Sequence, residues 1–304
     1  MINKMMSAEI IADVKNGLGE GIIWLSSANS IFWLDIYPEP TIYSMDISNQ
    51  VVRSRKLDFP LFCLRKSSDG LILGLSKHGL VWLNPQSLMI EREKSILDVN
   101  TNYRFNDSNC DSAGRLWAGT MIDNFQRIDG VLQSLDNSGE VYRIGSGGSF
   151  DVVDGGYGCP NTCVWSPDEK IMYFADSISG WLYAYDFDIK RGEVKNRTNF
   201  FKRNDFGIPD GSAMDEQGCL WNARWDGSAV LRITPQGLVD RVVNLPVSRV
   251  TDCTFAGSDL STLYITSSRF GLSDKELRKQ PYAGGIFALD TSIFGIDKGT
   301  YLCC

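Results

Sequence analysis

Apolar residues along this chain fall in short runs broken by polar turns, and no long stretch keeps a helical period. Leu-Trp, Met-Tyr or Leu-Tyr pairs follow the turns Asp111-Ser-Ala-Gly114, Ser166-Pro-Asp-Glu169, Asp215-Glu-Gln-Gly218 and Gly257-Ser-Asp-Leu-Ser261. Gly, Pro, Asp and Ser supply the turn conformations, and the apolar and aromatic pairs suit the strands that follow. The unit is clearest in residues 104–121, RFNDSNCDSAGRLWAGTM, which read as a strand, a tight turn and a second strand. It recurs at 161–177 and at 210–225.

Laid out in full, six copies cover residues 20–47, 62–83, 106–144, 161–187, 210–233 and 251–289. Each holds three recognisable strands and a more variable stretch that has room for a fourth. A spacing of roughly 40 to 55 residues is that of a four-stranded propeller blade. Residues 9–14 carry a further apolar strand pattern, able to join the last copy and remove the exposed edges of an open ring. The expected fold is therefore all-β, a six-bladed β-propeller formed as one domain by residues 1–304. A two-sheet sandwich would not explain six copies in register. A solenoid would need distinct capping repeats.

Composition narrows the partners. With 43% hydrophobic and 22% charged residues, the 304-residue chain has the make-up of a globular protein. Its net charge of −7 leaves no excess of cations to neutralise phosphates, which argues against a nucleic-acid partner. No run reaches the roughly 18 apolar residues of a membrane span, and the N-terminal residues lack the apolar core of a signal peptide. The expectation is a cytoplasmic protein and, as a closed ring needs no partner, a monomer. The eight cysteines then read as reduced thiols, and Cys159-x-x-x-Cys163 lacks the second pair of a zinc site. The single histidine, His78, precedes Gly79 in a turn-like segment, so Ser-His-Asp or Cys-His machinery has little to rest on. A metal site would have to be built mainly of oxygen ligands.

Such oxygens are present. In a propeller the first residue of each repeat lies near one mouth of the central channel. Aligning that position on an apolar residue four places later gives Glu20, Asn106, Asn161, Asp210 and Thr251, and the second repeat brings Phe62 to the same slot. Asn and Asp also begin strands after turns for purely local reasons. Four of six positions bearing Glu, Asn, Asn and Asp nevertheless suggest a site for a hard divalent cation such as Ca²⁺, Mg²⁺ or Mn²⁺. Zn²⁺ is kept as a further candidate.

The motifs Gly17-Leu-Gly-Glu20-Gly, Arg104-Phe-Asn-Asp107, Pro160-Asn161, Trp165-Ser-Pro-Asp168, Tyr173-Phe-Ala-Asp-Ser177, Pro209-Asp210-Gly211 and Leu263-Tyr-Ile-Thr-Ser267 stand in order. Over residues 17–290 the chain resembles the regucalcin (senescence marker protein), gluconolactonase and luciferin-regenerating-enzyme family. That resemblance implies a six-bladed propeller with one catalytic divalent metal in its channel. It implies Glu20, Asn161 and Asp210 as metal ligands and Asp210 also as general base. Arg104 and Asn106 would lie at the substrate, and Asn124 falls where many members place an acidic substrate contact, with Asp123 beside it. Thr162-Cys163 and Asp252 also depart from the family pattern, and these departures bear on sugar specificity.

The activity so implied is metal-dependent hydrolysis of a small sugar-acid lactone, of the gluconolactone kind, to its open-chain acid. Three alternatives share the features: a non-catalytic Ca²⁺-binding or regulatory propeller, an interaction scaffold, and a metal-dependent esterase or phosphotriesterase. Residues 121–130 lengthen the third copy near the expected mouth and read either as a partial lid or as a solvated hairpin. Trp225 reads as a core residue in preference to a substrate platform.

Overall fold

A computed structural model of the chain describes residues 4–98, 102–125, 127–128, 131–132, 136–147, 149–202 and 204–303. Six successive sheets, antiparallel apart from the added parallel strands Lys4–Ser7 and Thr300–Tyr301, are the blades of a six-bladed β-propeller, and Arg127–Ile128 pairs separately with Val131–Leu132. Their innermost strands are Gly19–Leu25, Leu61–Ser67, Tyr103–Cys110, Pro160–Trp165, Ile208–Met214 and Val250–Ala256, which open blades 1 to 6 in that order. In blades 1 to 5 the chain meanders outward through three more strands. Blade 6 has only two more of its own, and Glu9–Ala12 pairs with Ile286–Asp290 to supply its fourth.

Burial explains the strand pattern. The first three strands of a blade are mostly buried, and their apolar side chains interlock with those of the next blade. The outermost strands are largely polar and exposed, as in Val52–Lys56 and Ile90–Ser95, so charge discourages pairing at these edges.

The residues divide into two compact units, Met1–Pro60 with Arg203–Lys298 and Leu61–Lys202 with Gly299–Cys304. In the first, blade 6 packs between blades 5 and 1. Trp221, Val230 and Val243 meet Phe255, Leu263 and Phe287 on one side of it. On the other side Ala256, Tyr264 and Ile286 meet Ile22, Trp24 and Trp33. In the second unit blade 3 packs between blades 2 and 4. Leu73 and Trp82 there meet Phe105 and Leu116, and Trp117 packs edge-to-face on Trp165 at 6.2 Å. Each large apolar side chain fully buried in these seams contributes about 1.5–3 kcal/mol.

The turns read from the sequence have a structural task as well. In blade 5 Asp215 accepts hydrogen bonds from the backbone N–H of Gln217 and Cys219, from Trp221 Nε1 at 2.8 Å and from Arg232 Nε at 2.8 Å. Gly218, at φ 77°, takes the left-handed conformation that lets the turn close. Blade 3 repeats the device, with Asp111 bound to Arg115 and to Trp117 Nε1. Asp215→Ala would leave the buried Trp221 indole N–H and part of the Arg232 guanidinium unpaired. It is expected to cost about 3 kcal/mol of stability, measured by urea unfolding. A loss below about 1 kcal/mol would mean that Asp240 and Gln217, the other partners of Arg232, hold it unaided.

Candidate metal and substrate site

Every innermost strand breaks its pairing register once, at or beside the position aligned from the sequence. The breaks follow Glu20, Leu61, Phe105, Asn161, Pro209 and Val250. A β-bulge puts extra residues opposite fewer partners and re-aims a side chain out of the pleat. Glu20 and Asn161 therefore stand just before a bulge. Phe62, Asn106, Asp210 and Thr251 stand in one. Gly21 at φ 61° and Thr162 at φ 48° supply the left-handed residues of two of them.

In the first unit the backbone around both acidic candidates is held from several sides. Asp35, at the end of blade 1's second strand, accepts Gly17 N and Leu18 N and so fixes the loop that leads to Glu20. Burial raises the Asp35 carboxyl above the usual carboxylate range, against the opposing pull of those N–H groups. Thr251 Oγ1 donates to Gly19 O, the carbonyl next to Glu20. Around Asp210, Asn222 Nδ2 donates to its carbonyl oxygen at 3.0 Å. The fully buried Arg224 in turn grips Asn222 Oδ1 and Gly207 O, both at 2.7 Å. Asn222 and Arg224 were not singled out from the sequence. Their signal was two polar residues, two apart, inside the otherwise apolar LWNARW strand.

The second unit joins Arg104, Asn106, Asn124 and Asn161 in one hydrogen-bonded chain. Arg104 Nη1 donates to Asn106 Oδ1 at 2.7 Å, and Nη2 to Asn124 Oδ1 at 2.9 Å. Asn106 Nδ2 then donates to Asn161 Oδ1 at 2.9 Å and to Pro160 O at 2.7 Å. Asn161 Nδ2 completes the run on Ser177 Oγ at 2.8 Å. Asp176 holds the loop before Asn161 through Gly158 N and Cys159 N, as Asp35 does before Glu20.

Arg104 is itself clamped. Its guanidinium lies 4.6 Å from the centre of the Phe62 ring and 4.9 Å from that of Phe125, and the two rings are within 10° of parallel. Such stacking suits a planar cation. Phe62, the one aligned position with an apolar side chain, thus serves as a wall for Arg104. Asp123 pairs with Lys77 at 3.0 Å, and Asp107 pairs with the buried Arg65 at 2.8 Å. Neither belongs to the asparagine chain. Of the extension at 121–130, residues 126, 129 and 130 lie outside the described residues, and with them the expected lid. Trp225 is half-buried beneath Arg249, whose guanidinium lies 4.9 Å from its ring.

Cys159 borders this network, with Asn106 Nδ2 and Asn161 Nδ2 at 3.8 and 3.7 Å from its sulfur. It is partly exposed, and among the described residues no cysteine is in a disulfide. Burial pushes the Cys110, Cys163 and Cys253 thiols well above their ordinary range and that of Cys219 up to about 11. Iodoacetamide at pH 8 is expected to label Cys159 and Cys303 first, with modification mapped by mass spectrometry. Labelling of Cys110 or Cys253 at an equal rate would contradict their burial.

Among the described residues no three His, Cys, Asp or Glu side chains form a metal-binding group, and no helix is long and apolar enough to cross a membrane. The donors expected from the sequence include an amide, Asn161. Residues 18–269 match the family described as "SMP-30/Gluconolactonase/LRE-like region". The chain belongs to that family.

Family relatives bear out the resemblance in sequence and in fold. A regucalcin from Bos taurus is 35% identical over 284 residues, covering 89% of this chain and 90% of that protein. A candidate sugar lactone lactonase from Bacillus subtilis (strain 168) is 30% identical over 285 residues, covering 93% and 94%. The crystal structure of a calcium-binding protein, regucalcin from Agrobacterium tumefaciens str. C58, superposes with a TM-score of 0.89. It covers 99% of both chains at 24% identity, which establishes the fold.

Proposed function

We propose that this protein hydrolyses a sugar-acid lactone to the open-chain acid, with Glu20, Asn161 and Asp210 holding one divalent cation. The observation that carries the reading is the recurrent bulge, with Glu20 and Asn161 directly before it in their blades and Asn106 and Asp210 within it in theirs. The donor set fits a hard cation. Asn161 Oδ1 accepts one hydrogen bond, from Asn106, and has a second lone pair for a metal, while Glu20 and Asp210 bring carboxylates. When bound, the cation would act as a Lewis acid on the lactone carbonyl and its developing negative charge.

The chain's own groups do the rest. Asp210 takes a proton from a water as that water's oxygen bonds to the carbonyl carbon. The ring C–O bond then breaks, and Asp210 returns the proton to the departing ring oxygen, leaving an acid and a hydroxyl. Arg104 orients the two asparagines. With Asn124 Oδ1 taken by Arg104, the Asn124 NH₂ remains the donor for a substrate hydroxyl or ring oxygen. An amide supplies a donor at a point where an ionised carboxylate could only accept.

The test is acid release from a panel of aldonolactones by chelator-stripped protein given Ca²⁺, Mg²⁺, Mn²⁺ or Zn²⁺ singly. Metal-dependent release supports the proposal. Metal binding without release from any lactone favours a non-catalytic role, a reading favoured by the structural neighbour described as calcium-binding.

A further inference from the structure

We infer that Lys298 is a positioning residue that ties the Glu20 bulge to the Asp210 bulge. The inference rests on the proposal that these two carboxylates share a cation. Lys298 lies beyond residues 18–269, the part of the chain matched by the family, and follows the last strand of blade 6. Its side chain is nevertheless buried, 8% exposed, and reaches the innermost strands of the first unit. Nζ donates to Ile22 O at 3.2 Å and to both carboxylate oxygens of Asp252, at 3.3 and 3.2 Å. These contacts use all three ammonium donors.

Each partner leads to one of the acidic candidates. Ile22 is one of the two residues that bulge out directly after Glu20. Asp252 is 2% exposed, in the corresponding bulge of blade 6, with its carboxylate against the backbone of Gly211 in blade 5. A Cβ at Gly211 would stand 2.3 Å from Asp252 Oδ1, so glycine there permits the carboxylate to approach the residue after Asp210. Thr251, beside Asp252, holds Gly19 O on the other side of Glu20. Lys298 and the Thr251-Asp252 pair thus brace the backbone beside both carboxylates. Bulges have unpaired backbone groups and would otherwise be the compliant part of each strand.

Ligand-orienting groups of this kind characteristically change metal affinity by about 10- to 100-fold when removed. A field effect has the opposite sign, because deleting a nearby positive charge should tighten cation binding. The experiment compares chelator-stripped wild type with Lys298→Met, Lys298→Arg and the double variant Lys298→Met/Asp252→Leu. The double variant deletes the ion pair without changing net charge and leaves no lone buried charge to unfold the protein. Mn²⁺ and Ca²⁺ affinity is read by calorimetric titration, folding by circular dichroism, and hydrolysis at low and saturating metal.

The expected result is metal binding about 10- to 100-fold weaker in the folded double variant, partial recovery with arginine, and kcat restored by excess metal. Wild-type affinity in the folded double variant, or tighter binding in Lys298→Met, would overturn the inference while leaving the shared cation in place. No metal binding by the wild type would overturn the shared cation and this inference with it.

Discussion

Asp210→Asn is expected to lower kcat by about 1,000-fold while weakening metal binding only about tenfold. The reasoning separates the two tasks proposed for this carboxylate. An amide keeps an oxygen of the same reach, and Asn161 shows that the proposed donor set already includes one. What the amide lacks is the capacity to accept a proton from water. The backbone that aims the side chain is held by Asn222 and Arg224 and does not depend on the carboxylate, so the bulge should survive the change. Calorimetric titration with the metal, alongside a pH–rate profile at saturating metal, tests the point. In the variant the acid limb of the profile, which reports protonation of the base, should disappear. Parallel loss of metal and activity would reduce Asp210 to a ligand.

Glu20→Ala should act the other way, on binding first. With one of two proposed carboxylate ligands removed, affinity for Ca²⁺ or Mn²⁺ is expected to fall by roughly 100-fold or more, because charge count dominates hard-cation sites. Activity should vanish at ordinary metal concentrations and return in part with millimolar metal. The fold should be little affected, since Glu20 is only half-buried and the loop before it is fixed by Asp35. Unchanged metal titration together with lost activity would assign Glu20 to the substrate and overturn the ligand set.

The blades were legible because their first three strands are short apolar runs, as burial on both faces demands, set off by polar turns. The fourth strands were not, because the exposed edge selects charge over pattern: Ile90–Ser95 is IEREKS and Val52–Lys56 is VRSRK. Aligning the first residue of each repeat led to residues in or directly before the bulge of each strand, although only Gly21 and Gly211 hint at a bulge in the sequence. The aromatic clamp on Arg104 was hidden, since Phe62 and Phe125 are far apart along the chain and look like ordinary apolar residues. Lys298 was hidden too, for it follows the last repeat and reads as one more surface lysine. The sequence suggested Arg104 as a direct contact to substrate oxygens. The structure adds a second task, for both of its Nη atoms bond to protein oxygens and so orient Asn106 and Asn124.

The interleaving of chain segments has a consequence for synthesis on the ribosome. Blades 2 to 4 are continuous in sequence and can pack as they emerge, lacking only the short Thr300–Tyr301 strand. Blades 5, 6 and 1 cannot do so. Glu9–Ala12 must wait for Ile286–Asp290 to be made, at a translation rate of about 5–20 residues per second. For tens of seconds the first strands of the chain have no partner, and that interval is when a nascent-chain chaperone would find them.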